Sequence, residues 1–152
     1  MIEINNLTTA VVDKVFLEKI AKRVLKGERK EKLELSIALI GQKKIKELNK
    51  RYRGKNRTVK EDKSSFPPFA AARVTDVLSF DYGNSGEIVI CLSEVRENAK
   101  RYNSTFKKEL ARVLIHGILH LLEYDHEKSE REARKMEKKE NYYLKLCQRL
   151  IS

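Results

Sequence analysis

All the histidines of this chain lie in one stretch, His116-Gly-Ile-Leu-His120-Leu-Leu-Glu-Tyr-Asp-His126. The spacing H-x3-H-x5-H is that of a three-nitrogen metal site. His116 and His120 are four apart, so on a helix both rings project from one face, one turn apart. Two imidazoles so placed can hold one ion at about 2.0–2.1 Å per nitrogen. A continuing helix would carry His126 about 9 Å further along its axis, so the chain must leave the helix after Leu122 and fold back. Three protein ligands leave a fourth position open, the arrangement of a catalytic rather than a structural centre. The competing reading is three ordinary core or surface histidines with no shared partner.

The element that carries the first two ligands must be buried. Ser104 or Thr105 can cap a helix bearing Leu110, Val113, Leu114, Ile115, Ile118, Leu119, Leu121 and Leu122, apolar on nearly every side. Around it the pattern predicts strands at Ile2–Leu7, Leu33–Ile40, Val77–Phe80 and Glu87–Cys91, the last two joined by a turn-rich Asp81–Gly86. Helices are expected over Val11–Leu25, with Gly27 just past its end, and over Gln42–Tyr52. Another is expected from a Ser93 cap to about Arg101. Ser129-Glu-Arg-Glu132 reads as a capping box opening a last helix to about Leu150, with Met136, Tyr143, Leu144 and Cys147 inward. Met136 there is a core residue rather than part of a metal-site turn. Ser64-Ser-Phe-Pro-Pro-Phe69 is loop-like, because adjacent prolines extend neither a helix nor a central strand. The expectation is a single α+β domain over residues 1–152: a small mixed β-sheet packed on helices, with the buried central helix carrying metal ligands. Residues 59–74 are expected to form a mobile insertion.

Composition narrows the partners. The 152 residues hold 33 Lys and Arg against 22 Asp and Glu, a net charge of +11, which favours a polyanion. From Gln42 to Lys63 there are ten basic and three acidic residues, with Tyr52 and Arg53 among them. For any one lysine a solvated helix face suffices. For the whole segment nucleic acid is the better reading, with Arg51, Lys55 and Arg57 as candidate substrate-binding residues. No apolar run approaches a membrane span, no basic-then-apolar leader opens the chain, and Cys91 and Cys147 form no framework. A cytoplasmic protein is expected.

A divalent ion held by three histidines, zinc before nickel, cobalt or iron, would activate water against peptide carbonyls, phosphodiesters or nucleobase amidines. Zinc proteases of the H-E-x-x-H type place their general base directly after the first histidine. Here that position is Gly117, so a metallopeptidase-like hydrolase is a weaker alternative. A non-catalytic RNA- or ribosome-binding module, its metal purely structural, is another.

The segment His-Gly-x-Leu-His-Leu-Leu-x-Tyr-Asp-His resembles the motif of the YbeY family, bacterial endoribonucleases of ribosomal RNA maturation. Leu48-Asn-Lys-Arg-Tyr-Arg-Gly-Lys55, Thr75-Asp-Val-Leu-Ser-Phe80 and Gly86-Glu-Ile-Val-Ile90 follow in the expected order, and the resemblance spans roughly residues 35 to 145. It implies a metal-dependent endoribonuclease of single-stranded RNA, acting in ribosomal RNA maturation and ribosome quality control, with ribosomal RNA and ribosomal proteins as partners. By the same resemblance His116, His120 and His126 are the metal ligands, His116 counting as catalytic too. Arg53 would be the catalytic cation facing the ion. A guanidinium suits non-bridging phosphate oxygens better than an ammonium does, because its paired donors lie in one plane. On charge alone Arg53 reads equally well as a surface arginine. Asp125 can orient a ligand from behind or simply make a helix-end turn.

Two departures from the family pattern stand out. Glu123 occupies the bend where the family has glycine. A left-handed conformation there costs glutamate about 1 kcal/mol. Val59–Val74 looks inserted between the basic loop and Thr75, and Lys60, Lys63 and Arg73 beside its phenylalanines would suit an RNA-contacting flap.

Overall fold

The computed structural model describes residues 1–52, 59–61, 76–124 and 129–152, with 49–52 and 59–61 described by backbone alone. The elements run β1 (Ile2–Asn6), α1 (Lys14–Gly27), β2 (Glu34–Ile40), α2 (Gln42–Tyr52), β3 (Val59–Glu61), β4 (Val77–Asp81) and β5 (Ser85–Cys91). The helices α3 (Leu92–Arg101), α4 (Phe106–Leu121), α5 (Glu130–Leu146) and α6 (Gln148–Ile151) follow. One mixed sheet has the order β1-β2-β5-β4-β3, with β1, β2 and β5 parallel and β4 antiparallel to both its neighbours. The expected α+β architecture is therefore present.

Strand alternation divides the core between the two faces of the sheet. Leu35, Ile37, Leu39, Val77, Ile88 and Ile90 meet α1 and α4 in the main cluster. Ala38, Ile40, Leu78, Phe80, Val89 and Cys91 meet Ile45 and Leu48 of α2 in a smaller one. Every residue of α4 from Leu110 to Leu121 except Arg112 is buried. The helix touches the sheet at Gly117, where an added Cβ would lie 3.1 Å from Val77 and 3.2 Å from Ile88. The Ser79 hydroxyl donates to the Gly117 carbonyl at 2.9 Å.

Several boundaries differ from expectation. Helix α1 starts at Lys14 because the Asp13 carboxylate takes the Phe16 N–H, which leaves Val11 before the helix; Val15, inside it, faces outward and is exposed. Gly27 is the last residue of α1 rather than the stop beyond it. Its missing side chain makes room for the Tyr143 ring. Ser93 does not cap α3, whose N-cap is Cys91 without a side-chain bond, whereas Thr105 and Ser129 cap α4 and α5 as expected. The last helix is interrupted at Cys147. Residues 59–61, assigned to the insertion, form edge strand β3 on β4; the rest of that insertion lies outside the described residues.

The ends of α1, α3 and α4 share one construction. After each C-cap comes a residue with positive φ, Arg29 (59°), Asn103 (52°) and Glu123 (80°). The next N–H reaches back five residues, from Lys30 to Leu25, Ser104 to Ala99 and Tyr124 to Leu119. These are Schellman endings, which glycine usually closes.

Candidate metal centre and its surroundings

Helix α4 presents His116 and His120 on one face, 3% and 5% exposed, with ring centroids 5.1 Å apart. His116 Nδ1 bonds the Glu140 carboxylate of α5. An ionised carboxylate only accepts, so a neutral imidazole in this contact has its proton on Nδ1 and offers Nε2 as the lone-pair nitrogen. Two buried imidazoles one turn apart, one held in the tautomer that ligates through Nε2, fit a borderline-soft divalent ion. The described residues include no set of three side chains able to hold a metal. His126 lies outside them, as do Arg53, Lys55, Arg57 and Asp125. Arg51 falls in the last turn of α2.

The path away from the pair follows the expected break. Helix α4 ends at Leu121, and Glu123 adopts the left-handed conformation. Tyr124, just beyond, is fixed at both ends. Its hydroxyl donates to Glu28 at 2.7 Å, and Lys135 of α5 stands 5.7 Å from its ring centre. Glu28 also accepts from the Tyr143 hydroxyl and, at 3.2 Å, from the Lys139 ammonium. Burial pushes the Glu28 carboxyl up, but these three donors together hold it below the ordinary carboxylate range. Tyr124 is correspondingly pushed up to about 12, by burial first and then by the Glu28 charge.

One turn before His116, Arg112 donates to Glu109 at 2.8 and 2.6 Å and lies 3.8 Å from the buried Asp76 carboxylate. Asn98 of α3 donates to Asp76 at 3.1 Å. This network holds the start of β4, immediately after the Thr75 end of the undescribed segment. Gly117, the position of a protease-type base, packs on the sheet with Val77 and Ile88 and has no space for a carboxylate. Both cysteines are free and buried, and burial pushes both thiols up, away from nucleophilic use.

Sequence reasoning missed Glu140, Glu28 and the Asp76 network. Glu140 had a legible signal: it is four residues from both Met136 and Leu144, on the stripe read as inward-facing.

A mixed sheet backed by a buried helix with paired histidines defines a small α+β domain. Comparison with known proteins narrows it. The family model described as Endoribonuclease YbeY matches residues 3–148, and the chain belongs to that family. A relative named Endoribonuclease YbeY from Thermodesulfovibrio yellowstonii is 48% identical over 120 residues, covering 74% of this chain and 65% of the relative. One of the same name from Thermotoga neapolitana is 42% identical over 111 residues, covering 72% and 64%. Another, from Chlorobium luteolum, is 33% identical over 147 residues, covering 94% and 95%. The chain thus spans just under two thirds of the length of the first two relatives and nearly all of the third. A solution structure of a Thermotoga maritima protein superposes with a TM-score of 0.61 at 33% identity, over 95% of this chain and 87% of that one. Among the described residues no helix is long and apolar enough to cross a membrane.

Proposed function

We propose that this chain is a metal-dependent endoribonuclease that cleaves single-stranded RNA, acting in the cytoplasm on ribosomal RNA during maturation and ribosome quality control. The observation that carries the reading is the buried His116–His120 pair on α4, one ring held by a carboxylate, in a chain of the YbeY family. In this reading His116, His120 and His126 hold one divalent ion, zinc first. When bound, such an ion supplies Lewis acidity at a phosphodiester.

The chain's own residues supply the rest. Arg53 holds the non-bridging oxygens as their charge grows, through two parallel donors. Arg51, Lys55 and Arg57 neutralise neighbouring phosphates and bring the strand to the site, so binding weakens steeply with salt. Asp125 orients His126 or another of the ligands from behind. The Glu28 knot fixes Tyr124, two residues before His126 in the chain. Ribosomal proteins are the expected company of such a substrate.

The test is cleavage of an end-labelled single-stranded oligoribonucleotide by zinc-loaded protein, with and without a chelator. Cleavage should vanish with chelator and return with zinc. Arg53→Ala should slow it by about 10²–10³-fold, the effect of losing one preorganised oxyanion donor. Full activity in the presence of chelator, or in the Arg53 variant, would overturn the reading.

A further inference from the structure

Helix α5 supplies a residue to the centre that the histidine motif does not contain. Glu140 lies fourteen positions after His126 in the chain, yet its carboxylate meets His116 Nδ1. Both partners are largely withdrawn from water, with side-chain exposures of 4% for His116 and 16% for Glu140. At the spacings where a helix brings side chains together, Glu140 has Met136, Glu137, Tyr143 and Leu144 for neighbours. None is a cation. By contrast Glu130, on the same helix, pairs with Arg134 four residues on. Withdrawal of a carboxylate from water is costly unless donors meet it, and here the imidazole N–H is such a donor.

Helix α5 is itself firmly placed. Met136 and Tyr143 are each 1% exposed, on the same face as Glu140. Tyr143 and Lys139 reach Glu28 at the end of α1. Glu140 therefore meets His116 from a rigid support rather than from a loose surface chain.

We propose that Glu140 is a positioning residue of the metal centre: it fixes His116 in the Nδ1-protonated tautomer, sets the ring's direction, and so makes Nε2 the coordinating atom. The inference rests on the proposed metal centre. A carboxylate behind a ligating histidine also makes the ring more basic and a better donor, and its loss costs about 10–100-fold in metal affinity. Glutamine keeps an oxygen that can accept from Nδ1–H but lacks the charge, so it should preserve direction while weakening donation.

The experiment uses the full chain, zinc ion alone as ligand, and affinity read by competition with a chromophoric chelator. Cobalt substitution adds an electronic spectrum that reports ligand geometry, and thermal melts of the metal-free forms report folding. Wild type should bind one zinc. Glu140→Ala should weaken affinity by about 10–100-fold and alter the cobalt bands. Glu140→Gln should recover much of the band shape and part of the affinity, and both metal-free variants should melt close to wild type. Unchanged affinity and spectrum in both variants would overturn the role of Glu140 and leave the metal centre standing. So would a lower melting temperature with unaltered affinity, since that is what a merely structural contact produces. Failure of wild type itself to bind zinc would remove the metal reading and this inference with it.

Discussion

Two carboxylates from different parts of the chain meet at helix α5, and they differ in what answers them. Glu28, at the end of α1, gathers two phenol hydroxyls and an ammonium. Among the described residues Glu140, on α5 itself, meets one imidazole. Both obey the rule that a carboxylate withdrawn from water must be met by donors. The two phenols that answer Glu28 are pushed up and keep their protons at neutral pH, so that cluster is a fastening. The partner of Glu140 has a second ring nitrogen able to take a metal, so on the proposal above the same kind of contact there would orient a ligand. The identity of the donor, rather than the burial of the acid, separates a clasp from a site.

The sharpest way to break the contrast is to remove each side in turn. His116→Ala should lower cleavage of single-stranded RNA by about 10³-fold while circular dichroism stays native, because it removes the electrophile's anchor and little of the core. Glu28→Ala should do the reverse. It strands the Lys139 ammonium and two hydroxyls, so chemical denaturation should show a loss of about 3 kcal/mol, with zinc affinity changed less than in the Glu140 variants.

Acid sharpens the same contrast. The Glu28 carboxyl is depressed from its ordinary 4.5, so between the two values the unfolded chain binds the extra proton. The stability Glu28 contributes is complete above about pH 4.5 and is lost as pH falls through the lower folded value. The gap between wild type and Glu28→Gln in denaturation midpoint should close on acidification. A gap that stays constant down to pH 2 would refute the assignment. The smallest effect belongs to the bend between the two carboxylates: Glu123→Gly should relieve a φ of 80°. It should stabilise the chain by about 1 kcal/mol, some 2–4 °C in melting temperature.

What was legible in the sequence depended on periodicity and on residue type. The apolar wrap of α4, the alternation of β2 and β5, and the caps at Thr105 and Ser129 are local patterns, and the fold repeats them. The break after Leu122 followed from the reach of His126 alone. Other features depend on contacts that linear spacing does not encode. Edge strand β3 is three residues, Val-Lys-Glu, joined to β4 through the backbone. Gly27 looked like a helix stop, but what it accommodates is a tyrosine more than a hundred residues away. Glu140 is one of four glutamates in α5, and only the inward stripe of Met136 and Leu144 distinguishes it.

Helix α4 is wrapped on nearly every side by carbon from the sheet and α1, so apolar packing alone can hold it in place. On the proposed reading, a metal centre built on such a member would be emptied and refilled without the chain coming apart. In a cell short of zinc the proposed nuclease would persist as an intact, silent decoy, still cationic enough to sit on its substrate and keep a loaded copy away.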